Sequence, residues 1–419
     1  MPKVTMDAST SPAAFAGPAA LLAAAPHRPL FLAGTIAVLL SMAWWTAELV
    51  SLRFGWAAWP QPTIPPVWGH AMLIQYGLFP LFMFGFLLTT FPRWMNGPIV
   101  PPRRYLPVAG GVLGGYIVGT VGLLGMPTVL KIGVAMMLAG YLIGVGTLAG
   151  VLRASADRNK HGWSTLAAFC VGTVGLALFL AWLLFPDSLS PDLPWVAVRM
   201  GTFTFLLPIY FTVTHRMLPF FSRNLVPGYE MWRPNWSLPV AWALLIAHVV
   251  LVSLGLAQWL WIADVPLALV FGAHWLMWKP WRCMHPGLLA VLHIAFAWLP
   301  IGFVLFSAQD IVYATSGAHI LGLAPLHAIA IGFFGSMLVA MVTRVTHGHS
   351  GRPLQMHPIP WLCFGLLQVV ALVRIGAELG GDHYLWLVVA GAGWLVAFLP
   401  WVLRSAWIYL TPRADGRPG

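Results

Sequence analysis

Charge is what this 419-residue chain has least of: Asp, Glu, Lys and Arg make up 8% of it, while 59% is hydrophobic. An ordinary soluble chain carries about a quarter charged residues. A water-facing surface cannot be built from this composition, so a soluble enzyme or a string of soluble domains is excluded. Acid is the scarcer sign, with 11 Asp and Glu against 22 Lys and Arg. Cysteine is almost missing: Cys170, Cys283 and Cys363 lie far apart, which excludes both a disulfide framework and a Cys-x-x-Cys metal site. No phosphate-loop or dinucleotide fingerprint occurs, and no interval between apolar runs is long enough to house such a domain.

What the chain has in quantity is long apolar runs. A bilayer core of about 30 Å needs about 20 helical residues. Breaking the sequence at its Pro, Gly and charge clusters yields twelve runs, at 30–51, 67–91, 105–126, 128–152, 162–186, 194–220, 236–256, 257–279, 285–307, 314–343, 357–377 and 383–408. A transmembrane barrel would instead show alternating segments of about ten residues. The expected fold is an all-α polytopic membrane bundle of 12 transmembrane helices, forming a single domain over 30–408 between tails at 1–29 and 409–419. The Ala-rich stretch 11–29 looks superficially like a signal peptide. The one Lys that precedes it, Lys3, is offset by Asp7, and the stretch is read as a tail.

With twelve spans, Arg53, Lys131, Arg199 and Arg374 fall on one side and the other eighteen of the 22 cations on the opposite side. This asymmetry is the positive-inside signature and places both termini in the cytoplasm. It also turns the net charge of +11 into a topology signal, so nucleic acid is not an expected partner; the lipid bilayer is.

Ionisable residues inside spans are costly and therefore candidates for function. The acids Glu48, Asp264, Asp310 and Glu378 fall at or near the outer ends, which disfavours a proton-coupled transporter. Histidine behaves differently. At about 1.5 Å per residue, His248, His293 and His327 come out near the midplane, with His70 and His319 nearer the outer side. His215, His274, His285, His347, His349 and His357 gather toward the cytoplasmic side. A neutral imidazole is a strong metal ligand that needs no charge compensation when buried. Since a haem between helices takes one or two axial imidazoles from facing helices, His293 and His327 are the expected pair and His70 the next candidate. His347 and His349 form a His-x-His in a glycine-containing stretch read as a loop. There both rings can turn toward one copper ion, although a plain polar turn explains the spacing as well. Pro80, Pro208 and Pro300 are expected to kink their spans.

Several stretches resemble the NnrS family. The most specific is Thr343-Arg-Val-Thr-His-Gly-His-Ser-Gly-Arg-Pro-Leu354, preceded by His327-Ala-Ile-Ala-Ile-Gly332. Further matches are Arg28-Pro-Leu-Phe-Leu32, Gly85-Phe-Leu-Leu-Thr89 with Pro92 and Trp94, Arg216-Met-Leu-Pro-Phe-Phe221, and His293 with Ala297-Trp-Leu-Pro300. The resemblance implies a bacterial inner-membrane protein holding b-type haem and copper and serving the response to nitric oxide and nitrosative stress, often beside denitrification. By it, His70, His293, His327 and His349 occupy the family's histidine positions, and Arg28, Arg216, Arg344 and Arg352 its arginine positions. Arg344 and Arg352 are the expected partners of haem carboxylates. The chain departs from the family's His-x-His-Glu-Met: it reads Trp68-Gly69-His70-Ala71-Met72, lacking one histidine and the glutamate, while His347 stands where an apolar residue is common.

Three functions are compatible with these residues. The leading one is haem and copper binding in protection from nitric oxide, with the metals on His327, His293, His70, His347, His349 and His248. The alternative is a transporter or assembly factor for a metal, haem or small solute. A catalytic nitric oxide reductase ranks third, because no two histidines stand at i, i+4 and proton-path carboxylates are scarce.

Overall fold

A computed structural model describes residues 17–155 and 159–416. Lys3, Asp7, Arg158, Arg417 and the first sixteen residues of the expected tail lie outside the described residues. Among those described, eleven helices are long and apolar enough to cross a membrane. In chain order with one shorter helix they are α1 (His27–Phe54), α2 (Pro66–Trp94), α3 (Pro102–Gly122), α4 (Pro127–Arg153), α5 (Lys160–Leu184), α6 (Leu193–Leu225), α7 (Ser237–Ser253), α8 (Ala257–Arg282), α9 (Gly287–Ser316), α10 (Ala324–His349), α11 (Pro358–Gly376) and α12 (His383–Tyr409). The shorter one is α7, of 17 residues. The polytopic helical bundle read from the sequence is therefore the fold. The two narrow joins in that reading are true turns, each made by a glycine in the left-handed region: Gly125 (φ 87°) and Gly255 (φ 71°).

The ninth and tenth helices lie later along the chain than the apolar runs suggested. α9 continues to Ser316 and stops at Gly317, whose φ of 73° makes the left-handed cap that ends a helix. α10 then begins at Ala324 with Pro325 in its first turn, where proline's missing N–H is not needed, and it runs on through His349. Hydropathy marked apolar residues, not the caps. The shift moves His327 from the middle of a span to its beginning.

α2, α6 and α10 are the most buried spans. Each contains a widened, π-helical stretch in the half nearer its start: Leu73–Leu78, Met200–Leu206 and Ala328–Gly335. Such insertions add a residue to the turn and are frequent at functional sites. In α2 and α6 a proline comes almost at once after it, Pro80 and Pro208. Pro80 cannot donate to the carbonyl of Tyr76 four residues back, and the Tyr141 hydroxyl of α4 donates to that carbonyl instead, at 2.8 Å.

Around this centre the remaining helices pack through small residues, as membrane helices do where no hydrophobic force separates helix from lipid. α3 lies along α4 so closely that a Cβ on Gly133 would collide with the backbone of Gly119. The two ends of the chain meet: the Arg28 guanidinium, at the start of α1, donates to the carbonyls of Tyr409 and Thr411, each at 3.0 Å.

The acids sit at the expected ends but are more deeply buried and better partnered than expected. Asp264 bonds His248, Glu48 accepts from the Trp59 indole at 2.6 Å, and Glu378 pairs with Arg374 at 2.6 Å. Trp278, near the end of α8, is fully buried and donates to the Trp232 carbonyl.

Candidate functional site

His70 sits in the second turn of α2 and His327 in the first turn of α10, both at the end of the bundle where cations are few. They line one cavity, closed in by α1, α2, α10, α11 and α12. It holds about 70 Å³ for water-sized occupants, within about 560 Å³ free of protein atoms when the space open to the outside is included. Trp45, Trp394, Met42 and Ile74 are among its apolar walls, and Arg374 is its one charged lining residue.

Each imidazole is held. His327 Nδ1 lies 3.0 Å from the Leu323 carbonyl. A carbonyl only accepts, so Nδ1 carries the proton and Nε2 keeps a free lone pair, the tautomer that a backbone partner imposes on metal-ligating histidines. The His70 ring stacks on Trp45, centroids 4.4 Å apart at 19°, and its buried Nδ1 has no hydrogen-bond partner. Arg374 is nearly buried and gives one donor to Glu378. A guanidinium has five donors and stays charged, so it has capacity for a further carboxylate.

The other expected ligands lie elsewhere. His293 does not meet His327. It is about 9 Å by helix rise from the opposite, cation-rich end of α9, and its Nε2 is 3.0 Å from the Ser222 hydroxyl. Placing these two histidines at one depth depended on starting α10 too early. His248 faces Asp264, Nδ1 to Oδ1 2.7 Å, with its ring 4.0 Å from that of Phe203, and does not line the cavity of His70 and His327.

The His-x-His is not a loop but the last turn of α10. Residues two apart on a helix point to different sides, so the pair diverges. His347 is buried and accepts from Arg404 at 3.3 Å. The His349 ring lies against that of His27, centroids 4.8 Å apart and tilted by 40°. The shared-ion geometry is thereby lost.

His349 instead lines a vestibule of about 660 Å³ at the cation-rich end, with Arg93, Arg344 and Arg413. Arg344 lies over the Phe221 ring at 3.8 Å, and Arg413 pairs with Asp415. Arg352 does not line it. It rests 5.2 Å from the Trp407 ring, where burial lowers its pKa without discharging it. Neither expected carboxylate partner, Arg344 or Arg352, stands beside His327; Arg374 does. The signal available for Arg374 was its rarity, as one of four cations on its side.

Three further histidines form a group that sequence reasoning did not assemble. His161 Nε2 lies 3.1 Å from His215 Nδ1, and the neighbouring His274 bonds Ser237 at 2.9 Å. Among the described residues, no three His, Cys, Asp or Glu side chains converge so as to hold a metal ion.

Against known proteins, the family model described as NnrS protein matches residues 21–413. No curated protein matches the chain.

Proposed function

The chain therefore belongs to the NnrS family, and on that premise we propose that it is a haem-binding, multi-pass protein of the bacterial inner membrane that acts in the response to nitric oxide. The observation that supports this most is the pair His70 and His327, brought from two central helices to one apolar cavity beside Arg374.

The residues present fit a haem. The buried His70 Nδ1 has no hydrogen-bond partner, the tautomer fixed on His327 leaves its Nε2 lone pair for a metal, and both rings face one mostly apolar cavity beside a guanidinium. His70 and His327 would hold a haem there, and it would supply redox-active iron able to bind a small gas. The chain's own residues do the rest. The Leu323 carbonyl fixes the His327 tautomer, Trp45 fixes the His70 ring plane, and Arg374 offers a charge-assisted bond to a carboxylate. The apolar walls keep water out. Nitric oxide is small and apolar, so it reaches such a site through lipid without a polar pore.

Copper is the second metal that the resemblance implies, and the described residues do not fit it. No three ligand side chains converge, and His347 and His349 diverge. No part of the function is routed through it here.

The test is a visible spectrum of detergent-purified protein. A Soret band that is lost or shifted in His70→Ala and in His327→Ala, but kept in His293→Ala, supports the site. The absence of any Soret band in the wild type removes the haem reading. A band indifferent to both cavity histidines removes the site.

A further inference from the structure

Deeper in the bundle, α2, α6 and α10 surround a second cavity, of about 60 Å³, that the haem reading does not use. Phe31 of α1, Phe82 and Phe86 of α2, Val213 of α6, and Met337 and Met341 of α10 are among its walls. Only two lining residues carry a polar side-chain atom, Tyr210 and Thr214. The Thr214 hydroxyl donates to the Tyr210 carbonyl one turn back, so only its acceptor side and the Tyr210 hydroxyl are left to address an occupant. A buried water needs about two to four polar partners. Water therefore gains little by entering, and cavities of this kind stay dry and take apolar guests such as xenon. The size suits a single atom or a diatomic molecule. Protein interiors have few voids larger than a water, and this one lies where the three most buried spans meet.

The chamber also adjoins the arginine-lined vestibule. Phe86, Met341 and Val345 line both, so polarity falls from the aqueous end inward and these side chains stand between the two spaces. Transfer of an apolar solute from water into such a space is favourable, and the methionine walls are polarizable and adaptable.

We propose that this chamber is a holding site for a small apolar gas molecule. That the gas is nitric oxide rests on the function proposed above. That the chamber takes a small apolar guest does not.

Xenon is the probe, applied under pressure to crystals of the full-length protein with whatever cofactor it retains on purification, and tracked in solution by xenon NMR. One xenon atom is expected in the chamber, lost in Val213→Phe, which fills the space, and gained in occupancy in Met341→Ala, which enlarges it. The second variant and the wild type decide the matter if the first does not fold. No xenon in the folded wild type, ordered water in the chamber, or an occupancy indifferent to both substitutions overturns the proposal. The two readings fail separately: a Soret band without xenon removes the chamber alone, whereas xenon without a Soret band supports the chamber and removes the haem.

Discussion

At the scale of single residues, imidazole chemistry was legible and its partners were not. Histidines stand out in a chain with so little charge, and His70 and His327 were both marked as candidates. Nothing in the spacing showed that His293 would be satisfied by Ser222 on a different helix, 71 residues away in sequence, or that His248 would face Asp264. Such pairings depend on which helix faces are turned together, and a uniformly apolar helix carries no periodicity to report that. The His248–Asp264 pair gives a prediction at this scale. Among the described residues, His248→Phe leaves the fully buried Asp264 with only the buried Asp310 carboxyl as a partner, and breaking a buried pair costs about 3–5 kcal/mol. Thermal unfolding in detergent is expected to show a markedly lower midpoint for His248→Phe, with recovery in the triple variant His248→Phe/Asp264→Leu/Asp310→Leu, which also removes the carboxyl that pairs with Asp264. An unchanged midpoint would show that Asp264 finds another donor.

At the scale of elements, the apolar helices and their order were readable because bilayer thickness sets span length, although only eleven of the twelve expected spans reach that length among the described residues. Their boundaries were less so. Gly317 and Pro325 are the chemical punctuation that sets the end of α9 and the start of α10, and both lie inside what hydropathy alone reads as one apolar span. The widened turns in α2, α6 and α10 had no hydropathy signal. Pro80 and Pro208 hinted at irregularity in two of the three, though as kinks rather than as widened turns. These turns have a consequence for the site. Each inserted residue rotates the N-terminal part of its helix relative to the C-terminal part by about 100°, so removal of Ile74 from the Leu73–Leu78 stretch is expected to swing His70 away from His327. The variant should insert into membranes and remain folded by circular dichroism, yet show the same altered Soret band as His70→Ala. A wild-type spectrum from this deletion would mean that the widened turn plays no part in placing the ligand.

At the scale of the whole molecule, the scarcity of charge proved informative twice. The few cations divide so unevenly between the two ends of the bundle that both termini are expected in the cytoplasm. A green fluorescent protein fused after Gly419 should fluoresce and an alkaline phosphatase fused there should be inactive; the reverse pattern would invert the topology. Of the acids near the outer ends, Glu48, Asp264 and Asp310 are buried, so the interior is poor in charge but not free of it. The same orientation puts the His70 and His327 cavity near the outer leaflet and the arginine vestibule at the cytoplasmic end, with the dry chamber between the three central helices.

The most direct test of this arrangement is the ligation of the haem iron in purified wild-type protein compared with His70→Ala and His327→Ala, read by visible absorption and electron paramagnetic resonance on the same samples. The account predicts a haem signal in the wild type whose Soret band and spin state change in each variant, while His293→Ala and His349→Ala leave both unaltered. A signal that survives both cavity variants and fails in His293→Ala or His349→Ala would contradict it.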